Sequence, residues 1–349
     1  MTPLLSLTIG NDTIADIILA PVLAAGFTPV VVDVGARNGI WTLPRSYTRH
    51  ARLIGFEPNP DEFRKLEGHK TDADQQLAAA GQSRAFFREE QYLPYAVWDC
   101  EARQPLYITR GVGAATMMGE THRKMQNHFQ VRAGADARTQ KSVYDTHFHI
   151  DRSEVLDCRP LDALLPEGRV DFLKLDVEGA ELRAIKGAEN LLARRDILFV
   201  QTEFQLFPYY DEHPLLADQH RYLADRGFRL LDLQLDHARQ RRGRAALPPH
   251  NDRAPLAAGD AFLCLDPDTQ PLPALDLHRI AAVALAFDFA SWAISLLRDA
   301  ALLTPEQIDR IEAVIAQRPL SWRRRLVETW NGIPHHIWNG LTSLRQRIR

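Results

Sequence analysis

The stretch Val170-Asp171-Phe172-Leu173-Lys174-Leu175-Asp176-Val177-Glu178-Gly179-Ala180-Glu181-Leu182 begins as a short apolar run and ends as the opening of a helix. Three charged residues, Lys174, Asp176 and Glu178, stand two apart just before the change. Residues two apart in a strand share a face, so all three are expected to look out over one edge of a sheet. A strand buried on both faces would not place charge at every second position. Two readings follow: a half-exposed strand with a solvated face, or a functional site at the carboxyl end of a central strand. Open α/β sheets bind their ligands at the second kind of place.

The rest of the chain supplies the partners of such a strand. An apolar helix is expected over residues 14–23, stopped by Gly26. The run Val30-Val31-Val32-Asp33-Val34-Gly35 and the run Arg52-Leu53-Ile54-Gly55-Phe56-Glu57 read as buried strands. Helices are expected from Pro60 to residue 66 and over residues 73–80. A third strand and its exit are placed at residues 92–99, and a shorter strand, in a hairpin, at 104–109. Residues 161–165 form a short amphipathic piece. The spacing of Leu182, Ile185, Ala188 and Leu192 predicts one helix over 180–192. A strand over 197–203 ends at Glu203, a helix runs over 215–226, and strands fall at 228–233 and 261–265. This alternation implies a doubly wound, mainly parallel sheet, and the two late strands suggest an antiparallel hairpin at one edge. From residue 271 the pattern is helical throughout, with Thr304 and Pro305 as N-cap and first residue of a helix. The expected division is therefore 1–270 and 271–349.

Composition narrows the class. With 349 residues and a formal net charge of -3, the chain lacks the basic character of a nucleic-acid binder, and no nucleic-acid partner is expected. Three well-separated cysteines, Cys100, Cys158 and Cys264, form neither a disulfide framework nor a zinc knuckle, so a cytoplasmic setting is expected. The N-terminus carries no signal-peptide pattern. The longest apolar run, residues 280–297, is interrupted by Asp288 and reads as a buried or interface helix. Trp292, Trp322, Trp330 and Trp338, together with Arg323-Arg324-Arg325 and a basic end, leave two readings of the tail. It either packs on the sheet or on a second copy of the chain, or it touches an anionic membrane surface. On the latter reading the chain is a membrane-surface adaptor and no enzyme. The pair His147 and His149 lacks a third ligand at a sensible spacing, and the basic run 239–244 reads as a solvated charge run. The polar segment 111–149 reads as a lid or binding loop.

The turn Asp33-Val34-Gly35-Ala36-Arg37-Asn38-Gly39 follows the first buried strand. Glu57 comes about 20 residues beyond it, the spacing at which a carboxylate meets the ribose hydroxyls of an adenosine ligand. A dinucleotide fingerprint would want glycine at positions one, three and six. Those positions hold Gly35, Arg37 and Ile40, and no phosphate loop of the Gly-x-x-x-x-Gly-Lys-Ser/Thr type is present. An adenosine ligand without a pyrophosphate fits better, S-adenosylmethionine foremost.

These residues resemble the FkbM-type methyltransferases, a branch of the class I S-adenosylmethionine-dependent enzymes. The resemblance rests on Asp33-Val34-Gly35-Ala36 with Gly39, on Phe56-Glu57-Pro58-Asn59-Pro60, on Leu161-Asp162, on residues 171–181, on Lys186-Gly187-Ala188 and on Glu203. It covers roughly residues 28–265. It implies a Rossmann-like seven-stranded sheet and methyl transfer to an oxygen of a sugar, glycoconjugate or natural product. Asp33, Gly35 and Gly39 would hold the methionine part of the cofactor, Glu57 the ribose, and Ala96, Val97 and Asp99 the adenine. Arg37 stands where the family usually has asparagine; it would either pair with the methionine carboxylate or weaken cofactor binding. Asp176, Glu178 and Glu203 are the candidate bases, with Lys174 tempering their charge. The same cluster could instead hold a divalent cation, although no metal is assigned.

Overall fold

The computed structural model describes residues 2–318 apart from 41, 82–85, 121–147, 166–168 and 238–255. His147, the basic run 239–244 and the tail beyond residue 318, with Trp322, Trp330 and Trp338, lie outside these. The short strands β1 (Thr8–Ile9) and β2 (Asp12–Thr13) lead into helix α1 (Ile14–Ala24). The start of α1 is fixed by a capping box in which Thr13 and Asp16 satisfy each other's backbone N–H groups. Strand β3 (Val30–Val34) follows, then α2 (Arg45–Thr48), β4 (Arg52–Phe56), α3 (Pro60–Glu67), α4 (Asp72–Ala79) and β5 (Glu89–Leu93). The chain continues through β6 (Ala96–Val97), β7 (Ala102–Thr109), β8 (Ile150–Arg159), α5 (Leu161–Leu164), β9 (Phe172–Leu175), α6 (Glu181–Lys186) and α7 (Glu189–Ala193). It closes with β10 (Phe199–Gln205), α8 (Leu216–Ala224), β11 (Phe228–His237), β12 (Leu256–Leu265) and helices α9 (Ala274–Ala286), α10 (Ala290–Ala300) and α11 (Pro305–Ala316).

A seven-stranded sheet in the order β11-β12-β10-β9-β3-β4-β5 is the frame. Strands β3, β4, β5, β9 and β10 pair in parallel, while β12 is antiparallel to both β10 and β11. The doubly wound expectation therefore meets its sheet. The reversed strand, however, is β12, second from the edge, with β11 outside it. The carboxyl ends of β3 and β9 lie side by side at the centre, the register pairing Asp33 with Lys174 and Val34 with Leu175.

Four local expectations need correcting. The strand expected over 92–99 ends at Leu93, because Pro94 has no N–H to give a ladder; Ala96 and Val97 leave for a second sheet of order β6-β8-β7. The strand at 104–109 makes only a single antiparallel bridge nearby among the described residues, Tyr107 with Thr116. It pairs antiparallel with β8, whose Asp151, Arg152, Glu154 and Asp157 kept it from showing as an apolar run. The single helix expected over 180–192 is two, α6 and α7, parted at Gly187. A Cβ there would lie 2.1 Å from the Trp98 carbonyl oxygen, so the chain bends where the backbone leaving β6 presses in. Finally, Glu178 does not continue the strand alternation. Strand β9 stops at Leu175, and Glu178 takes a left-handed turn conformation with φ of 53°.

The helices after residue 271 bury α9 in the same hydrophobic cluster as the sheet. Phe287, at its end, lies 5.1 Å from Phe172 and Phe262 and 5.7 Å from Phe199 between ring centroids. Arg279 reaches under β9 to Asp171, with Nε 2.7 Å from Oδ1 and both side chains buried. Asp171 also accepts the Val30 N–H at 2.7 Å. One buried carboxylate thus ties α9 to the two central strands, satisfied by charge-assisted bonds on both oxygens. Thr304 caps α11 through a capping box with Gln307, and Pro305 takes the first position, as the spacing predicts.

Candidate active site

A cleft of about 630 Å³ opens over the carboxyl ends of β3, β4 and β9. Its position is the one the sheet order dictates, since adjacent loops from neighbouring parallel strands part there. One wall comes from the turn after β3. Gly35 has φ of +84°, and a Cβ on it would meet the Asp176 carbonyl oxygen at 1.9 Å. The Asp176 N–H in turn donates to the Val34 carbonyl at 3.0 Å. Gly35 is therefore required by the close approach of the β9 exit. The motif's glycine serves the protein's own backbone at this point.

The second wall follows β4. Glu57, 5% exposed, accepts the Asn59 N–H at 2.8 Å through Oε1. Asn59 caps α3 by accepting from the Asp61 N–H. Burial pushes the Glu57 carboxyl up to about 7, opposed by that backbone bond. Farther along α3, Glu62 is buried and bound by Arg37 Nε at 3.0 Å and Lys65 Nζ at 2.7 Å. Arg37 also donates to Asp72 at 2.9 Å. Its guanidinium lines the cleft while engaged by two protein carboxylates. Ala96 and Val97, with Leu106 and Tyr95, add an apolar side. Val112, Gly113, Ala115 and Met117, from the described start of the segment expected as a lid, line the cleft above it.

The third wall is the opening stretch. Lys174 Nζ lies 3.0 Å from Asp176 Oδ2 and 3.5 Å from Asp33 Oδ1, and these two charges hold its pKa well above that of a free lysine against the opposing effect of burial. Beyond Asp176 the chain turns through Glu178 and Gly179. Glu181 fixes the turn by accepting the N–H groups of Val177 at 3.0 Å and Gly179 at 3.1 Å, and Thr116 Oγ1 donates to the Glu178 carbonyl at 2.7 Å. Carboxylate oxygens of Asp176, Glu178 and Glu203 all lie within 4.8 Å of one another. Burial, and then mutual repulsion, drive the Glu178 and Glu203 carboxyls well above the ordinary range. Asp260, paired with Glu203 in register, is raised for the same reasons.

Of the residues expected to hold a cofactor, Gly35, Arg37, Glu57, Ala96 and Val97 line the cleft. Asp33 is fully buried beneath it beside Lys174, Gly39 does not reach the lining, and Asp99 is bound to Arg183 Nη1 at 2.7 Å. Of those expected to act on the acceptor, Asp176 and Glu178 line the cleft, Glu203 joins their cluster, and Lys174 supports Asp176 from below. Asn59, Glu62, Thr116, Met117, Glu181 and Asp260 were given no site role from the sequence, although Asn59 and Glu181 stand inside the motifs that carry the resemblance. Glu181 carried a local signal, an acid in the first turn of a helix after a glycine turn, and so did Asn59, an N-cap residue before a proline. Thr116 and Asp260 meet the site only through partners far along the chain.

The model of the Methyltransferase FkbM domain matches residues 33–230, more than half of the chain. No curated protein matches. Among solved structures, magnesium protoporphyrin IX methyltransferase (ChlM) from Synechocystis PCC 6803 with bound SAM is 12% identical, covering 72% of this chain and 78% of that one, with a TM-score of 0.29. EvdMO1 is 13% identical, covering 73% of this chain and 42% of that one, with a TM-score of 0.28. Scores this low add nothing to the sheet order and the family match.

The cleft fits the methyl donor of such enzymes on its own observations. Glu57 accepts one hydrogen bond among the described residues and keeps lone pairs for ligand hydroxyls, and Ala96, Val97 and Leu106 offer apolar surface beside it. The chain belongs to the FkbM methyltransferase family, and S-adenosylmethionine is its cofactor.

Proposed function

We propose that the chain transfers a methyl group to a hydroxyl oxygen of a sugar, a glycoconjugate or another natural product. The observation that carries this reading is the group of Asp176, Glu178 and Glu203 beside the cofactor cleft. A hydroxyl acceptor must shed its proton as the new bond to carbon forms, and a carboxylate whose proton affinity is raised by burial, as for Glu178 and Glu203, is a suitable proton acceptor. The bound cofactor supplies a methyl group already activated on a sulfonium.

The chain's own residues do the rest. Glu57 binds and orients through its free lone pairs, and Val112, Gly113, Ala115 and Met117 add a further side to the cleft. Asp176, with its side chain half exposed and its Oδ2 on Lys174, faces incoming solvent and acceptor alike. One of the three carboxylates takes the acceptor proton and becomes a neutral carboxylic acid, while the acceptor oxygen gains the methyl. Positioning supplies much of the remaining rate, since aligning two reactants replaces a bimolecular encounter.

The test is an assay of the full chain with methyl-labelled S-adenosylmethionine against a panel of sugars, glycolipids and polyhydroxylated natural products. Label in an alkali-stable methyl ether supports the reading. Label in an amine or an ester would overturn the choice of oxygen in a hydroxyl.

A further inference from the structure

We propose that Gln201, Glu203 and Gln205 of β10, with Tyr210 and His213 of the loop that follows, form a subsite for an uncharged ligand bearing several hydroxyl groups. That this ligand is the methyl acceptor rests on the proposed function; that the subsite takes such a ligand stands by itself.

Residues at every second position of β10 share a face. The register sets Lys174 of β9 beside Gln201 on that face, and Asp260 of β12 beside Glu203. Toward the amino ends of β9 and β10 the same face is apolar, with Phe172, Phe199 and Phe262 around Phe287 of α9. Farther along it turns polar. Gln201 is 4% and Gln205 1% exposed. The Oε1 atoms of both, and Oε2 of Glu203, are buried with no hydrogen-bond partner among the described residues. Gln201 Nε2 donates to Asp260 Oδ1 at 3.0 Å, which fixes its Oε1 as the unmet atom. Folded chains seldom leave one such acceptor bare; here three follow one another over roughly 13 Å of strand.

The loop after β10 supplies the complement. His213 Nδ1 accepts the Tyr209 N–H at 3.0 Å, and burial lowers the ring's pKa to about 4. The ring is therefore neutral with its proton on Nε2. That nitrogen is buried without a partner among the described residues, 3.0 Å from where a Cβ on Gly179 would lie. Gly179 adjoins Glu178, which lines the cofactor cleft. The Tyr210 ring meets the same point at 3.0 Å, and its buried hydroxyl has no partner by geometry among the described residues. Thr116 stands beside it, but the Thr116 hydroxyl already donates to the Glu178 carbonyl and accepts the Met118 N–H at 3.0 Å. Tyr209 and Tyr210 pack with Phe207 and Met118 in a small apolar cluster apart from the main core. A ligand reaches the buried atoms when this weakly anchored cluster opens, without cost to the core.

Unmet acceptors on the strand and unmet donors on the loop call for a group that does both, and a hydroxyl does. An ammonium group only donates and would leave the His213 proton unmatched. A carboxylate or phosphate only accepts, and it would meet like charge at Asp176, Glu178 and Glu203. An uncharged polyol, with hydroxyls spread along a ring or chain, satisfies both sets.

The probe is a panel of methyl glycopyranosides, each beside its amino-sugar and uronic-acid counterpart, added to the full chain saturated with S-adenosylhomocysteine. Saturation-transfer NMR should show binding of a neutral glycoside in preference to both charged forms. Gln205→Met and Tyr210→Phe should each weaken it about five- to tenfold, the loss of one neutral hydrogen bond. S-adenosylhomocysteine affinity, read by calorimetry, should stay within threefold. Without glycoside, both variants should melt at the wild-type temperature or a few degrees above it, since each removes a buried group that has no partner. A purely structural role predicts a lowered melting temperature, and that result overturns the proposal. So does the absence of neutral glycoside binding at tens of millimolar, tighter binding of a charged form, or undiminished binding by both variants. Methyl transfer is followed on the same samples with labelled S-adenosylmethionine. Glycoside binding that depends on Gln205, with no label on any hydroxyl, keeps the subsite and removes the proposed reaction. Label on a hydroxyl with an unchanged acceptor KM in both variants keeps the reaction and removes the subsite.

Discussion

The two sides of the cleft are built from the same residue type and behave differently. On the β4 side, each buried acid has its partners inside the protein: Glu57 takes the Asn59 N–H, and Glu62 takes Arg37 and Lys65. On the β9–β10 side, Asp176, Glu178 and Glu203 crowd together with one lysine beneath them and a buried oxygen left unmatched. The first wall is complete and only needs to receive hydroxyls. The second is under-compensated and calls for a proton or a cation. On the proposed function, preorganised binding belongs to the first and proton transfer to the second.

The sharpest way to break this contrast is to neutralise one group on each side. Asp176→Asn is expected to cut turnover by roughly 10²–10⁴-fold, the span of a lost acid–base group, with cofactor affinity within a few-fold of wild type. Equal losses in both quantities would dissolve the division of labour. On the other wall, Glu57→Ala should weaken cofactor binding by about 100-fold, from two charge-assisted hydrogen bonds of about 1.5 kcal/mol each. The same variant should retain turnover at saturating cofactor far better than Asp176→Asn does.

Gly35→Ala probes the point where the two sides meet. The new methyl group would fall on the Asp176 carbonyl, and the residue's left-handed backbone suits glycine. A loss of about 3 kcal/mol is expected, from about 1–2 for the backbone and the remainder for the clash. Chemical denaturation would read it, and a stability unchanged from wild type would mean that the two strand exits are not pressed together.

The smallest effect is a pH linkage. Glu57 has an ordinary value of 4.5 raised to about 7 by burial, so its protonated form favours the folded chain. That contribution is complete below about 4.5 and is lost as pH rises toward 7. Hydroxyl donors prefer the carboxylate, so cofactor binding near pH 6 should release up to one proton and tighten as pH rises to 8. Calorimetry in buffers of different ionisation heat measures the proton count, and Glu57→Gln should abolish it. Proton uptake in place of release would contradict the assignment of Glu57 as acceptor.

Much of this contrast was visible before any coordinates. The β-branched run at 30–34, the acid ending the run at 52–57, and the charged exit after Leu175 announce parallel strands whose ends carry function. Local composition is enough for these, because a strand buried on both faces must be apolar along its length. Strand β8 stayed hidden for the opposite reason: most of its residues are exposed, its charged residues fall on both faces with no period-two alternation, and its β7 partners lie 40 residues and more away. Neighbouring residues also say nothing about Gly187, whose role is set by the Trp98 carbonyl.

The sequence by itself therefore determined the family, the central strands, and the candidate carboxylates, since all are written in short motifs and periodicity. Tertiary structure alone decided which of them meet. It removed Asp33, Gly39 and Asp99 from the cleft lining, engaged Arg37 with Glu62 and Asp72, and moved Glu178 off the strand into a left-handed turn. It also brought Glu203 from the next strand within 4.8 Å of Asp176 and Glu178, and packed the Tyr210 ring from a later loop against Gly179. The physical reason is that pairing depends on register and turn geometry summed over distant segments, and a motif records only the residues next to it.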